Sequence, residues 1–464
     1  MIDAVTYQTR RNGLRALAKG GVVLILGHRL LPRNYKANTY PFRQNSNLLY
    51  CAGVAHPGHA LVIGETPDED VLYGPPTEVE DVVWHGPHET LEDFARAAGV
   101  RRSADVASLA AAVRAVTRRG GDVRYLPPYQ ADSVDWLAEL LGQDDAVVRR
   151  GACRDLMRAV AALRSKKEKD EIAEIEDALG VSAAMHIAAM RATRAGRRES
   201  DVRAAIERTA IAADRGQSYN PIVTVRGEVL HNNTYANVLE DGQLLLNDSG
   251  AESPRYYASD ITRTFPVSGR FDARQKDVYE TVLRAQTAAI AAVKPGVPYR
   301  DVHLLAARLM TDGLKAIGLM KGSTDAAVEA GAHALFFCHG LGHMLGLDVH
   351  DMEDLGEDIV GYGENRQRST QFGLAYLRLA RPLEEGFVFT VEPGLYFIPA
   401  LIDRWQAAGL HRDFIVYEKL SGWRTFGGIR IEDNVLCTAA GPEVLGPGIP
   451  KTVAAVEALV GRDA

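Results

Sequence analysis

The stretch HGLGHMLGLDVHD, residues 339 to 351, decides how the rest of the chain is interpreted. It places His339, His343 and His350, three of the chain's 13 histidines, within twelve positions, and Asp351 follows at once. Near neutral pH a histidine can ligate a metal, carry a proton or donate to an oxyanion, but a core can also satisfy it with an ordinary hydrogen bond. The surrounding sequence has to distinguish these roles.

Glycines in this stretch make a regular helix costly. The zinc-binding HExxH helix carries a glutamate directly after its first histidine, and Gly340 stands at that position. Gly342 and Gly346 add to the cost, so extended or turning backbone is expected. The histidines therefore need partners from elsewhere in the chain.

Length and composition limit the possible classes of protein. A chain of 464 residues is too long for one ordinary core, so two domains are expected. The net charge of -7 argues against nucleic acid as a partner, because phosphate binding requires a clustered positive surface. The sequence has no apolar run long enough for a membrane span or a signal peptide, so we expect a cytoplasmic protein without a membrane partner.

The four cysteines show no metal-ligand spacing and fit buried, reduced thiols. Cys338 next to His339 admits a nucleophile beside a base, but no third group is present to orient the base.

Residues 1 to about 160 alternate short apolar runs with helical stretches, which is typical of an α/β layer. A long helical pattern begins near residue 164, and its charge run KKEKDE, residues 166–171, is interpreted as a solvated first turn. Strand-like runs such as PIVTVRGEVLH and GFVFTVEPGLYF follow, interrupted by helical segments at 272–293 and 300–318.

Four carboxylates stand in strand-like apolar runs, where a charge is costly. They are Asp248 in LLLNDSG, Asp260 in YYASDITRTF, Glu392 in FTVEPG and Glu432 in GIRIEDNV. A half-buried carboxylate must be paired, hydrogen-bonded or metal-bound. Singly, each has a simple explanation such as a turn or a local ion pair. Together with one histidine they form a ligand set for two divalent ions.

Four motifs, in this order, resemble the pita-bread metallopeptidases of the aminopeptidase P and prolidase group. They are LLLNDSGAESPRYYASDITRTFPVSGRF, HGLGHMLGLDVHD, TVEPGLYF and GIRIEDNVL. The resemblance covers about residues 165–455, and one departure is a longer loop between the two aspartates, which contains Pro254. YPFRQNSNLLYCAG, residues 40–53, resembles the family's amino-terminal domain.

This resemblance implies an α/β (α+β) protein of two domains. A smaller α/β amino-terminal domain, residues 1–163, would precede a pita-bread catalytic domain of the creatinase/aminopeptidase type, residues 164–464.

The resemblance also implies roles for single residues. The metal ligands would be Asp248, Asp260, His343, Glu392 and Glu432. Glu392 would in addition be the general acid/base, while His231 and His350 would stabilise the tetrahedral intermediate or shuttle the proton. His339 would line the pocket, and Arg430 would contact substrate or hold the water network. Thr262 could hydrogen-bond a ligand carboxylate.

Two divalent ions would hold a water between them and lower its pKa, so that a metal-bridged hydroxide attacks the bond before proline. Because the ligand set is rich in carboxylates, Mn²⁺ is expected, and Co²⁺ or Zn²⁺ also fit. A proline nitrogen carries no N–H, so its recognition requires a dedicated pocket.

Three functions stay open. The first is an Xaa-Pro aminopeptidase acting on proline-containing peptides, expected as a homo-oligomer, a dimer or tetramer. The second is a prolidase in which Arg378, within YLRLARPLEEG, binds the dipeptide carboxylate. The third is a non-catalytic pita-bread binding protein, which the five intact ligand positions disfavour.

Overall fold

The computed structural model describes residues 2–18, 20–87, 89–363 and 366–462. The chain folds as two units. The first contains Met1–Arg164 together with Met352–Ile359, and the second contains Ser165–Asp351 together with Val360–Ala464.

The first unit is a mixed α/β layer. Its helices are α1 (Ala4–Ala18), α2 (Ser46–Ala52), α3 (Val79–His85), α4 (Leu91–Ala97), α5 (Leu109–Arg118), α6 (Ala131–Leu141), α7 (Asp145–Arg150) and α8 (Arg154–Ser165). Its strands are β1 (Val22–Leu26), β2 (Pro32–Tyr35), β3 (Asn38–Thr39), β4 (Ala60–Ile63), β5 (Val71–Gly74), β6 (Arg102–Asp105) and β7 (Val123–Tyr125). Five strands form one sheet in the order β6-β5-β4-β1-β7, and β1 with its sequence VVLIL has buried residues along its centre, as expected for an interior strand.

The second unit combines small antiparallel sheets with helices. Its helices are α9 (Lys169–Ala192), α10 (Glu199–Ala212), α11 (Ala273–Ala291), α12 (Tyr299–Ala316), α13 (Thr324–Glu329), α14 (Pro399–Ala407) and α15 (Val453–Glu457). Its strands are β8 (Ile222–Thr224), β9 (Leu244–Asp248), β10 (Thr262–Pro266), β11 (Val388–Val391), β12 (Gly394–Tyr396), β13 (Gly428–Arg430), β14 (Asp433–Thr438) and β15 (Gly441–Val444). They form the sheets β10-β9-β8, β11-β14-β15 and β12-β13.

Two strand breaks face each other in this unit. The run GFVFTVEPGLYF is divided into β11 and β12 at Glu392, because the following proline cannot donate to a ladder. The run GIRIEDNVL is divided into β13 and β14 at Glu432. Since β11 pairs with β14 and β12 pairs with β13, both antiparallel, the two breaks lie side by side. The paired ladders thus bring the two glutamates to one place.

Two expectations from the sequence are wrong in part. The strand predicted for PIVTVRGEVLH ends at Thr224, because the chain turns where Gly227 lies against Gly428; a Cβ on Gly227 would be 2.6 Å from the Gly428 carbonyl oxygen. The charge run 166–171 is not a solvated turn throughout, since Lys167 and Glu171 are buried.

Among the residues that the structure describes, no helix is long and apolar enough to cross a membrane. The expected cytoplasmic location stays a prediction.

A pair of buried histidines lies on α12 and the turn after α13. Neither ring nitrogen of His303 or of His333 has a hydrogen-bond partner within the described chain, and the two ring centroids are 6.5 Å apart. Burial lowers the pKa of both rings, that of His333 to about 4. Protonation therefore costs more in the folded protein than in the unfolded chain. The contribution of the neutral rings to the free energy of unfolding is fully present above the unfolded pKa of 6.5 and is lost as pH falls toward 4.

We expect His333→Leu to reduce the acid sensitivity of the fold. Between pH 6.5 and 4 the melting temperature of the variant should fall less steeply than that of the original protein, because one buried ring no longer has to be protonated; the limiting slope for one such group is ~1.4 kcal/mol per pH unit. Melting curves across this range measure it. His85→Leu, at an exposed histidine, is the control and should leave the slope unchanged. Parallel curves for His333→Leu and the original protein would refute the expectation.

Candidate metal centre

Three of the predicted ligands are gathered in a buried cluster. One ligand atom from each of Asp260, His343 and Glu432 lies within 4.8 Å of the others. Asp260 stands just before β10 and Glu432 just before β14, and the Glu432 N–H donates to the Thr262 carbonyl, which ties the two strand starts together. The positions of the Asp260 and Glu432 carboxylates therefore depend on where β10 and β14 begin.

Backbone pairing with β11 positions His343. Its N–H donates to the Thr390 hydroxyl at 3.1 Å, and its carbonyl accepts from the Thr390 N–H at 3.0 Å. Its ring Nδ1 lies 3.0 Å from the Met344 carbonyl, so Nδ1 carries the proton, and Nε2 lies 3.3 Å from Asp260 Oδ2. An imidazole held in this tautomer presents the Nε2 lone pair, as metal-binding histidines do.

Glu392 lies at the edge of the cluster and is partly exposed. Its Oε1 is 3.5 Å from His343 Nε2 and accepts from the Thr390 hydroxyl at 3.2 Å. A carboxylate that faces both the cluster and solvent is suited to moving a proton between them.

Asp248 is the last residue of β9, directly opposite Thr262 in the ladder. Its Oδ1 lies 2.5 Å from the Tyr219 hydroxyl, which is also 2.6 Å from Asp260 Oδ1. The Tyr219 hydroxyl thus contacts both carboxyl groups and links the two aspartates. Nothing in the sequence QSYNPIV distinguishes this tyrosine, and sequence reasoning missed it.

Arg430 on β13 bonds to three side chains of the buried site. Its guanidinium donates to Asp248 Oδ2 at 2.5 Å, to the Thr262 hydroxyl at 3.0 Å and to the Tyr396 hydroxyl at 2.9 Å. Thr262 in turn donates to Glu432 Oε2 at 2.6 Å, which is the bond expected for this threonine. The arginine therefore contacts one of the predicted ligands directly and reaches a second through a hydroxyl.

Crowded, buried carboxyl groups have altered pKa values. Burial, and then the charge of Asp248, raises the pKa of Asp260 to about 7. Burial raises the pKa of Glu392 to about 7, and burial with the charge of Asp260 raises the pKa of Glu432 well above its usual range. Oxygen and imidazole donors with unfavourable mutual repulsion fit divalent cations, which would offset that repulsion.

The remaining predicted histidines lie around this cluster. The His339 ring contacts the Tyr396 hydroxyl at 2.8 Å, and burial, assisted by the Arg430 charge, lowers its pKa to about 3. The His350 ring centroid is 4.1 Å from that of His343. His231 is exposed as a whole residue, but its ring is partly shielded from water, and this desolvation, followed by the Arg430 charge, lowers its pKa.

Arg378, the residue that would mark a prolidase, is partly buried. Its charge contributes to lowering the pKa of both His231 and His339.

Cys338 does not form a nucleophile–base pair with its neighbour. Burial raises the pKa of its thiol to about 11, and the two ring nitrogens of His339 bond to Gly340 and Tyr396.

Comparison with known proteins shows the family of this chain. Residues 173–439 match Metallopeptidase family M24, and residues 7–124 match the aminopeptidase P amino-terminal domain. The chain belongs to metallopeptidase family M24. The family membership, the two-part fold with a pita-bread catalytic domain and the assignment as a hydrolase are thereby confirmed.

Relatives named as Xaa-Pro dipeptidases and as Xaa-Pro aminopeptidases are similar to this chain over nearly its whole length. A human Xaa-Pro dipeptidase is 33% identical over 96% of this chain and 89% of its own length. A Haemophilus influenzae Xaa-Pro aminopeptidase is 31% identical over 98% of this chain and 96% of its own length.

Solved structures of Escherichia coli aminopeptidase P are also similar. A glutamate-to-alanine variant in complex with substrate superposes with a TM-score of 0.81 at 29% identity, covering 99% of this chain and 98% of the other. The zinc-substituted enzyme in complex with product gives 0.80 at 28% identity and covers 100% of both chains.

The raised pKa values of Asp260 and Glu392 predict how metal-free protein responds to pH. Both groups favour the protonated form in the fold, so their contribution to stability is present at low pH and is lost as pH rises through about 7. In chelator, the melting temperature should therefore fall relative to that of Mn²⁺-loaded protein as pH rises from 5 to 8. Melting curves with and without the ion measure the gap. A gap independent of pH would contradict the assignment of these carboxylates to the ion.

Proposed function

We propose that this chain is an Xaa-Pro aminopeptidase, with residues 1–163 as its amino-terminal domain and residues 164–464 as its catalytic domain. The observation that carries the proposal is the buried cluster of Asp260, His343 and Glu432 in a fold shared with aminopeptidase P. The similarity to named Xaa-Pro aminopeptidases supports the substrate class. We also propose a homo-oligomer, a dimer or tetramer, which sedimentation would measure.

The proposed cofactor is a pair of divalent ions, Mn²⁺ in preference to Co²⁺ or Zn²⁺ because four of the five donors are carboxylates. The residues that would hold them are Asp248, Asp260, His343, Glu392 and Glu432. When bound, such ions supply Lewis acidity and lower the pKa of a water molecule, which provides a nucleophile near neutral pH.

The chain's own residues then direct the reaction. Glu392, at the edge of the buried cluster, takes the proton from the attacking water and passes it to the proline nitrogen that leaves. His350 and His231 donate hydrogen bonds to the charge that develops on the carbonyl oxygen, an interaction worth ~3 kcal/mol per donor in other hydrolases. His339, whose low pKa keeps it neutral, forms part of the pocket wall.

A prolidase is the second candidate, and Arg378 favours it. A guanidinium whose charge acts on both His231 and His339 could bind the free carboxylate of a dipeptide through two parallel hydrogen bonds. The similarity to a human Xaa-Pro dipeptidase gives the same support as the similarity to aminopeptidases. An aminopeptidase, by contrast, has to leave room for the chain beyond proline.

Peptide length separates the two candidates. For an aminopeptidase, we expect Gly-Pro-Ala and longer peptides to be cleaved well, Gly-Pro to be poor, and Arg378→Ala to leave longer peptides unaffected. For a prolidase, Arg378→Ala should raise KM for Gly-Pro. The binding free energy should become less favourable by about 1.5–3 kcal/mol, the cost of a lost charged hydrogen bond. Arg381→Ala is the matched control, because Arg381 lies in the same segment but pairs with Glu384. Good cleavage of Gly-Pro without cleavage of any longer peptide would overturn the aminopeptidase proposal.

The metal roles of two neighbouring histidines should differ. We expect two ions per subunit after Mn²⁺ loading and loss of activity in chelator. His343→Ala should lower the metal content, because it removes the one nitrogen donor of the proposed set, whereas His350→Ala should keep the metal and lower kcat. Elemental analysis and steady-state kinetics measure both. A stoichiometry that never exceeds one ion would contradict the dinuclear centre.

A further inference from the structure

Asp351, the last residue of the histidine-rich stretch, has no part in the proposed chemistry, yet it is buried with a charged partner. Its Oδ2 accepts a hydrogen bond from Lys167 Nζ at 2.9 Å, and each side chain is 1% exposed. A lysine and a carboxylate are rarely buried to this degree unless they are paired. Asp351 directly follows His350 in the chain.

Lys167 links two segments that carry proposed catalytic residues. Its backbone N–H donates to the Gly386 carbonyl at 2.8 Å. The backbone of the adjacent Lys166 forms an isolated antiparallel β-bridge with Phe387, just before β11. Strand β11 runs directly into Glu392. The lysine's backbone is thus fixed to the Glu392 segment while its ammonium reaches the end of the histidine stretch.

Asp351 in turn fixes the segment 344–351. Its N–H donates to the Met344 carbonyl at 2.9 Å, and its Oδ1 accepts from the Asp348 N–H at 3.3 Å. The chain therefore folds back on itself between the residue after His343 and the residue after His350. This is the segment whose geometry determines where the His350 ring stands, 4.1 Å from the ring of His343.

The ion pair lies directly against the backbone of this segment. A Cβ built on Gly346 would be 2.4 Å from Asp351 Oδ2 and 2.8 Å from Lys167 Cε. Only a glycine leaves room for the pair at this point, and the Gly346 carbonyl is itself held by the Ala258 N–H at 2.8 Å. The glycine at this position of the stretch is thereby explained by packing.

We propose that Lys167 and Asp351 are positioning residues, which hold the His350 imidazole in the place from which it acts on the peptide. This inference rests on the proposed function. A displacement of ~1 Å in a reacting group is enough to cost two orders of magnitude in rate. A buried ion pair with additional backbone bonds is suited to preventing such a displacement, because its charges interact strongly at low dielectric.

A double-mutant cycle with His350 distinguishes positioning from general stabilisation. Asp351→Asn keeps the side-chain shape and Lys167→Met keeps most of the stem, so each weakens the pair with little change in volume. In the original protein either change should lower kcat by about tenfold or more, with Mn²⁺ content and KM little changed. In the His350→Ala background the same change should lower kcat by less than about twofold, because the group being positioned is already absent.

A matched control comes from the first unit. Arg11 and Asp70 form a buried pair with the same N–O distance of 2.9 Å and side chains that are each 1% exposed. Asp70→Asn should lower the melting temperature and leave kcat unchanged. If kcat falls in proportion to the loss of melting temperature in Asp351→Asn and in the control Asp70→Asn alike, Lys167 and Asp351 are merely structural.

The remaining outcomes are also decisive. An equal loss of kcat in both backgrounds, or loss of metal from Asp351→Asn and Lys167→Met, would overturn the positioning role but leave the proposed function intact. Full activity of His350→Ala would instead contradict the role of His350 in the proposed function and, with it, this inference. If one of the two pair variants fails to fold by circular dichroism, the other completes the cycle; failure of both would show that the pair is required for folding and would overturn the proposal.

Discussion

The repulsion among buried carboxylates is the constraint on which the catalytic unit depends. Asp248, Asp260, Glu392 and Glu432 are brought together from four strand ends, where burial and then the charges of neighbouring carboxylates raise the pKa of three of them. Such a group of charges is unfavourable unless cations or protons compensate it. The surrounding structure supplies this compensation and holds the compensating groups in place.

Compensation comes from several kinds of group. Arg430 places a fixed positive charge beside Asp248, and the Tyr219 hydroxyl contacts both aspartates. Behind Glu432, Arg263 donates to the Glu432 carbonyl at 2.6 Å and pairs with Asp433. These bonds fix the donor atoms before any cation arrives, so less ordering is required when the cation binds.

Much of this site could be predicted from the sequence. The four carboxylates could be identified because a charged residue inside an apolar run is costly in any other context. The order of the motifs indicated the fold. The partners Tyr219 and Tyr396 could not be predicted, since a tyrosine in a strand-rich region is ordinarily a packing residue and its hydroxyl partner depends on tertiary structure. Lys167 was misjudged for a related reason. A lysine within KKEKDE resembles a solvated residue, and only the fold brings Asp351, far away in sequence, against it.

The facing strand breaks have a consequence for how the fold tolerates changes in length. A shift of one residue in a strand turns every following side chain to the opposite face. An insertion within β11, β12, β13 or β14 is therefore expected to move Glu392 or Glu432 out of the cluster and leave a buried charge in its place. The connection between β12 and β13, residues 397–427, contains neither glutamate, and a change of its length leaves the register of the paired strands intact. Evolutionary variation in the size of this unit is accordingly expected to accumulate in that connection, where new surface can be added without altering the chemistry.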